Sequence, residues 1–124
     1  MEPIKILIVD DEEDLVFALA ERLTLRGFQV ETATTGTVAL RHVSEGDFSA
    51  VILDVKMPGI GGLDLMVEIM RNHPGLPVIL FTGHGSVADA RRGMEEGAFD
   101  YVMKPIDIDE LIRKIGNAAG RKEG

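Results

Sequence analysis

The 124-residue sequence predicts a doubly wound α/β domain, a parallel sheet with helices on both faces. Five short apolar runs alternate with five stretches of helical apolar spacing, the pattern of successive strand–helix–strand units. The runs are close to continuous in apolar residues, as in strands buried on both faces. Each run stops abruptly at polar or turn-forming residues, which marks the strand ends.

Composition fits one domain of ordinary size. Hydrophobic residues make up 45% of the chain, enough to bury a core without disulfides or a structural metal. Residues 1–118 are expected to form the domain and 119–124 a tail. There is no cysteine, which excludes disulfides and thiolate metal sites. The start of the chain, Met1-Glu2-Pro3-Ile4-Lys5, lacks a basic leader, and no apolar run approaches the roughly 18 residues of a membrane span. A soluble cytoplasmic protein without membrane contact is expected. A net charge of −8, from 21 acidic against 13 basic residues, argues against contact with nucleic-acid phosphates, which need a Lys/Arg footprint. Clustered carboxylates would instead attract a divalent cation.

The first strand is read at Ile4 to Val9, interrupted only by Lys5, and it ends in the acidic run Asp10-Asp11-Glu12-Glu13-Asp14. Leu15, Leu19 and Leu23 then recur at helical spacing, with Gly27 as the stop. The helix dipole accounts for Asp14 but leaves Asp10 and Asp11 in surplus. Phe28 to Ala33 reads as the second strand, Gly36 to Ser44 as the second helix, and Ala50 to Leu53 as the third strand. Asp54 follows, before the turn at Met57-Pro58-Gly59. Leu63, Leu65, Met66, Ile69 and Met70 mark a third helix ending near Asn72-His73-Pro74, and its methionines are core packing. Pro77 to Phe81 is the fourth strand, followed by Thr82-Gly83-His84-Gly85-Ser86. A weakly apolar fourth helix spans Val87 to Glu96, and the fifth strand Phe99 to Met103. Lys104-Pro105 precede a last helix from Asp107 to about Gly116, with Leu111, Ile112 and Ile115 inward. Beyond Gly116 the chain is expected to fray.

The strand ends carry the chemistry. In an open parallel sheet the crevice at the carboxyl ends collects ligands. Strand one ends in Asp10 and Asp11, strand three in Asp54, strand four in Thr82 and strand five in Lys104. Asp54 alone could be a turn or N-cap aspartate. Three carboxylates, a hydroxyl and an ammonium at corresponding positions are a site. His42, His73 and His84 show no metal-ligand spacing on a shared face, and Gly59-Ile60-Gly61-Gly62 lacks the Gly-Lys-Ser/Thr of a phosphate-binding loop.

From Ile4 to about Ile115 the chain resembles the receiver domain of two-component response regulators. The resemblance rests on Val9-Asp10-Asp11, on Asp54-Val55-Lys56-Met57-Pro58-Gly59, on Thr82-Gly83 and on Lys104-Pro105. It implies a flavodoxin-like doubly wound sheet of five parallel strands in the order 2-1-3-4-5 with five helices. It further implies that Asp54 accepts a phosphoryl group from the phosphohistidine of a sensor histidine kinase or phosphotransfer protein. Mg²⁺ would be held by Asp11, Asp54 and the backbone carbonyl of Lys56, with Asp10 assisting. Lys104 and Thr82 would meet phosphoryl oxygens, and Thr82 with Tyr101 would form the switch. The face from Val87 to Ile115 would address an output domain or downstream protein, and the domain itself would not touch nucleic acid. The Lys104–Pro105 bond is expected to be cis. Lys56 and His84, two residues beyond Asp54 and Thr82, would overhang the site, and each could equally be a plain exposed loop side chain.

Two other classes stay open. A flavin protein would use the same sheet, but an aromatic content of 5% without tryptophan leaves little to sandwich the ring system. A hydrolase working through an aspartyl phosphate would share the strand-end Asp, Mg²⁺, Thr and Lys, yet such enzymes place a second acid two residues on, where this chain has Lys56.

Overall fold

The computed structural model describes residues 3–57, 59–83 and 87–123, the last three by backbone alone. Its elements are β1 (Lys5–Val9), α1 (Glu13–Leu25), β2 (Gln29–Ala33), α2 (Gly36–Glu45) and β3 (Ala50–Asp54). They continue with α3 (Gly62–Asn72), β4 (Val78–Thr82), α4 (Val87–Glu95), β5 (Asp100–Met103) and α5 (Ile108–Glu123). The five strands form one parallel sheet in the order β2-β1-β3-β4-β5, so the predicted fold and strand order hold.

Side chains alternate across each strand and feed two cores. Leu7, Val9, Val51, Leu53, Val78 and Leu80 point towards α2 and α3, where Ala39, Val43, Leu65, Met66 and Ile69 meet them. Ile6, Ile8, Ala50, Ile52, Ile79 and Phe81 point the other way, towards Val16, Leu19 and Leu23 of α1 and Leu111, Ile115 and Ala118 of α5. Every residue of β3 and β4 is buried, which is why these runs lack the polar alternation of a half-exposed sheet. Helix α4 is different. It buries only Ala90 and Gly93, and a Cβ on Gly93 would overlap the Leu80 side chain and crowd Leu63. The helix lies close to β4 through a missing side chain rather than through an apolar stripe.

Register aligns the strand ends. Val9 pairs with Leu53, Asp54 with Phe81, and Thr82 with Met103, so Asp10, Asp54, Thr82 and Lys104 arrive at one edge. Strands three and four each run one residue further than their apolar runs, taking in Asp54 and Thr82. The backbone ladder continues after the side chains turn polar, with the Val55 N–H donating to the Phe81 carbonyl at 3.1 Å and the Lys104 N–H to the Thr82 carbonyl at 2.8 Å.

The expectation that the last helix ends near Gly116 is corrected. Helix α5 continues to Glu123, because Ala118 and Ala119 are buried and extend the Leu111 and Ile115 stripe by further turns. That packing outweighs the helix cost of Gly116 and Gly120, roughly 1 kcal/mol each.

Candidate functional site

Asp10 leaves the end of β1 and is fully buried. Both of its carboxylate oxygens are engaged: Oδ1 accepts from the Glu12 N–H at 3.0 Å and Oδ2 from Lys104 Nζ at 3.0 Å. Asp11, next along, is exposed. Asp54 ends β3 and is 6% exposed, with Oδ1 accepting from the Lys56 N–H at 3.3 Å. One carboxylate oxygen from each of Asp10, Asp11 and Asp54 lies within 4.8 Å of the others.

Such crowding has a price in ionisation. Burial pushes the Asp54 carboxyl up to about 6, and the negative charges of Asp10 and, less strongly, Asp11 add to it. Lys104 and the Lys56 N–H pull the other way without cancelling the rise. A cation is the natural relief. Three hard carboxylate oxygens, with the site open to solvent on the Asp11 side, fit a small divalent ion such as Mg²⁺.

Lys104 follows β5 across a cis Lys104–Pro105 bond, as expected. Its ammonium lies 3.0 Å from Asp10, 3.7 Å from Asp54 and 3.8 Å from Glu12, and 5.7 Å from the centroid of the Phe81 ring. Burial works against its charge, but the hydrogen bond to Asp10 and the negative charges of Asp54, Asp10 and Glu12 prevail and hold the ammonium above its ordinary value. The side chain is a fixed positive charge within reach of Asp54.

Thr82, at the end of β4, is fully buried, and its hydroxyl donates to the Gly83 carbonyl at 3.3 Å. Tyr101, paired in register with Leu80, is half-buried against the α2/α3 core. The Lys56 side chain is exposed, and no second acid stands where an aspartyl-phosphate hydrolase has one. His84 lies outside the described residues.

The β3–α3 loop is pinned beneath the site. The Gly62 N–H donates to the Val55 carbonyl at 3.1 Å, and a Cβ on Gly62 would overlap the carbonyls of Asp54 and Val55. Only glycine lets α3 start this close to the carboxylate-bearing strand.

Asp10, Asp11, Asp54 and Lys104, singled out in the sequence, come together here, with Thr82 at the end of the adjoining strand. Glu12 and Phe81 were missed as neighbours of Lys104. Glu12 was one acid among five, and Phe81 reads as core like every residue of its strand. Beside Lys104, a groove of about 390 Å³ opens between α1 and the start of α5, lined by Leu15, Ala18, Leu19, Ile106 and Ile108.

The response regulator receiver domain model matches residues 6–116. The transcriptional regulatory protein GlrR of Escherichia coli strain K12 is 38% identical over 117 residues, which cover 94% of this chain and 26% of that protein. The transcriptional regulatory protein YkoG of Bacillus subtilis is 40% identical over 124 residues, covering the whole of this chain and 54% of that protein. The chain therefore spans about half or less of these relatives' length. Among solved structures, a response regulator receiver domain protein from Clostridium thermocellum superposes with a TM-score of 0.93 at 38% identity, covering 97% of each chain.

Proposed function

This chain belongs to the response regulator receiver domain family, and on that premise we propose that it is a phosphorylation-driven signalling switch with Asp54 as its phosphoacceptor. The observation that carries the reading is the meeting of Asp10, Asp11 and Asp54 within 4.8 Å, with Lys104 3.7 Å from Asp54. It is a signalling domain rather than a classical enzyme, and its chemistry is confined to its own aspartate.

The donor would be the phosphohistidine of a sensor histidine kinase or phosphotransfer protein. An Asp54 carboxylate oxygen attacks phosphorus, the phosphorus–nitrogen bond breaks, and the imidazole leaves with the electron pair. Water later cleaves the acyl phosphate, returning the carboxylate and inorganic phosphate. Lys104 stays charged throughout and exchanges part of its contact with Asp10 and Asp54 for a phosphoryl oxygen. The Thr82 hydroxyl turns from the Gly83 carbonyl towards another phosphoryl oxygen, and Tyr101 follows Thr82. Asp10, Asp11, Asp54 and the Lys56 carbonyl would hold Mg²⁺, which when bound supplies positive charge that keeps the carboxylates ionised together and offsets the charge of the transferred group.

The groove beside Lys104 offers the donor an apolar footing next to Asp54. The face formed by α4, β5 and α5, from Val87 to Ile115, is the output face, directed at an attached domain or a downstream protein. Direct contact of this domain with nucleic acid is not part of the reading, and a cytoplasmic location is. Among the described residues no helix is long and apolar enough to cross a membrane.

Intact mass after incubation with Mg²⁺ and acetyl phosphate tests the proposal. One added phosphoryl group is expected on the wild type, none on Asp54→Asn, and none when Mg²⁺ is chelated. An adduct that persists in Asp54→Asn would defeat the assignment.

A further inference from the structure

Lys114 stands on α5, 13 residues after Tyr101, and its side chain is only 18% exposed. A buried ammonium needs its three N–H groups satisfied. Lys114 has three acceptors: the Tyr101 carbonyl at 2.6 Å, Asp100 Oδ1 at 3.3 Å and Glu110 Oε1 at 3.5 Å. The same ammonium lies 5.5 Å from the centroid of the Tyr101 ring, within range of a cation–π contact.

The placement is informative because it crosses the sheet. Leu111 and Ile115, on either side of Lys114 in α5, belong to the core shared with α1. The Tyr101 ring packs against the opposite core, with α2 and α3. β5 is an edge strand, so Lys114 reaches past the open edge and takes hold of both the backbone and the ring of Tyr101.

We infer that Lys114 is the positioning residue for Tyr101: it fixes the ring on the far face of the sheet and ties the ring's orientation to α5. The inference deepens the switch reading and rests on it. When Tyr101 follows Thr82, the ring can move only by breaking or dragging its contact with α5. Ring position is thereby transmitted to the helix that forms one side of the output face. A β5–α5 tie alone would be served by apolar packing, whereas the lysine engages the one residue whose ring must move.

The chain has one tyrosine and no tryptophan, so intrinsic fluorescence reports this ring directly. Acrylamide quenching of the full chain, without phosphodonor, should rise about twofold in Lys114→Met and stay at the wild-type level in Lys114→Arg, which keeps the charge, the donors and the ring contact. Asp100→Asn keeps an acceptor for the Tyr101 N–H and should leave quenching unchanged. Equal quenching in Lys114→Met and wild type, or a rise in Asp100→Asn as large as in Lys114→Met, overturns the inference. With Mg²⁺ and fluoroberyllate, ring signal and α5 amide exchange should change together in the wild type, and the ring alone in Lys114→Met. If both still change together in that variant, the coupling is refuted. A wild-type ring indifferent to fluoroberyllate refutes the link from Tyr101 to Asp54, whereas intact-mass labelling of Asp54 succeeds or fails independently of it.

Discussion

At Asp54 two demands oppose each other: burial next to Asp10 and Asp11 favours the protonated acid, while a nucleophile must be ionised. Its folded value of about 6 lies above the ordinary 3.8, so the folded chain binds the Asp54 proton more tightly than the unfolded chain. The associated stability is fully present below about pH 4 and is lost as pH rises through about 6. Asp54→Asn does not ionise. In metal-free buffer its stability relative to wild type should therefore climb between about pH 4 and pH 6 and level off above, with a gain on the order of 3 kcal/mol at pH 7. Urea unfolding across that range checks this, and a pH-independent difference would contradict it. Adding Mg²⁺ should narrow the gap by stabilising the wild type. A tenfold excess over the dissociation constant contributes about 1.4 kcal/mol, and Asp54→Asn should gain less.

The elements place these residues through backbone geometry that residue types reveal unevenly. Gly62 faces the carbonyls of Asp54 and Val55, which cannot give way, whereas Gly93 faces the flexible Leu80 side chain. Gly62→Ala should cost roughly 3 kcal/mol as overpacking against backbone. Gly93→Ala should cost about 1 kcal/mol or less, since alanine's helix propensity offsets part of the clash, and it should speed amide exchange in α4. Equal midpoint shifts in urea for the two variants would contradict the contrast. Strands and strand ends were legible because a strand buried on both faces is apolar almost to its end, so the change to Asp10, Asp54, Thr82 and Lys104 falls within a residue or so of the edge. The last turns of α5 were not, because Gly116 and Gly120 look like breakers when the buried partners of Ala118 and Ala119 are unseen. Ala118→Asp tests that extension: a charge at this fully buried position should cost about 3 kcal/mol, while a frayed tail would tolerate it.

At the scale of the molecule, the sheet order brings distant residues to one edge and gives each face its own core. Asp10 and Lys104 meet across 94 positions of sequence, and their meeting was legible because parallel topology sends every strand's carboxyl end to the same side. Contacts that depend on how helices wrap that sheet were not. Lys114 reads as an ordinary helix cation until its ammonium is placed on Asp100, Glu110 and the Tyr101 carbonyl, and Glu12 reads as a first-turn acid until Lys104 arrives beside it. We propose that this edge makes Asp54, and no neighbouring carboxylate, the phosphoacceptor. Borohydride reduction of the acetyl phosphate-treated chain, followed by peptide mass mapping, tests it most directly, because an aspartyl phosphate is reduced to homoserine while free carboxylates are untouched. Homoserine is expected at position 54, dependent on Mg²⁺. Homoserine at position 10 or 11, or an unaltered map from a chain whose intact mass shows the adduct, would contradict it.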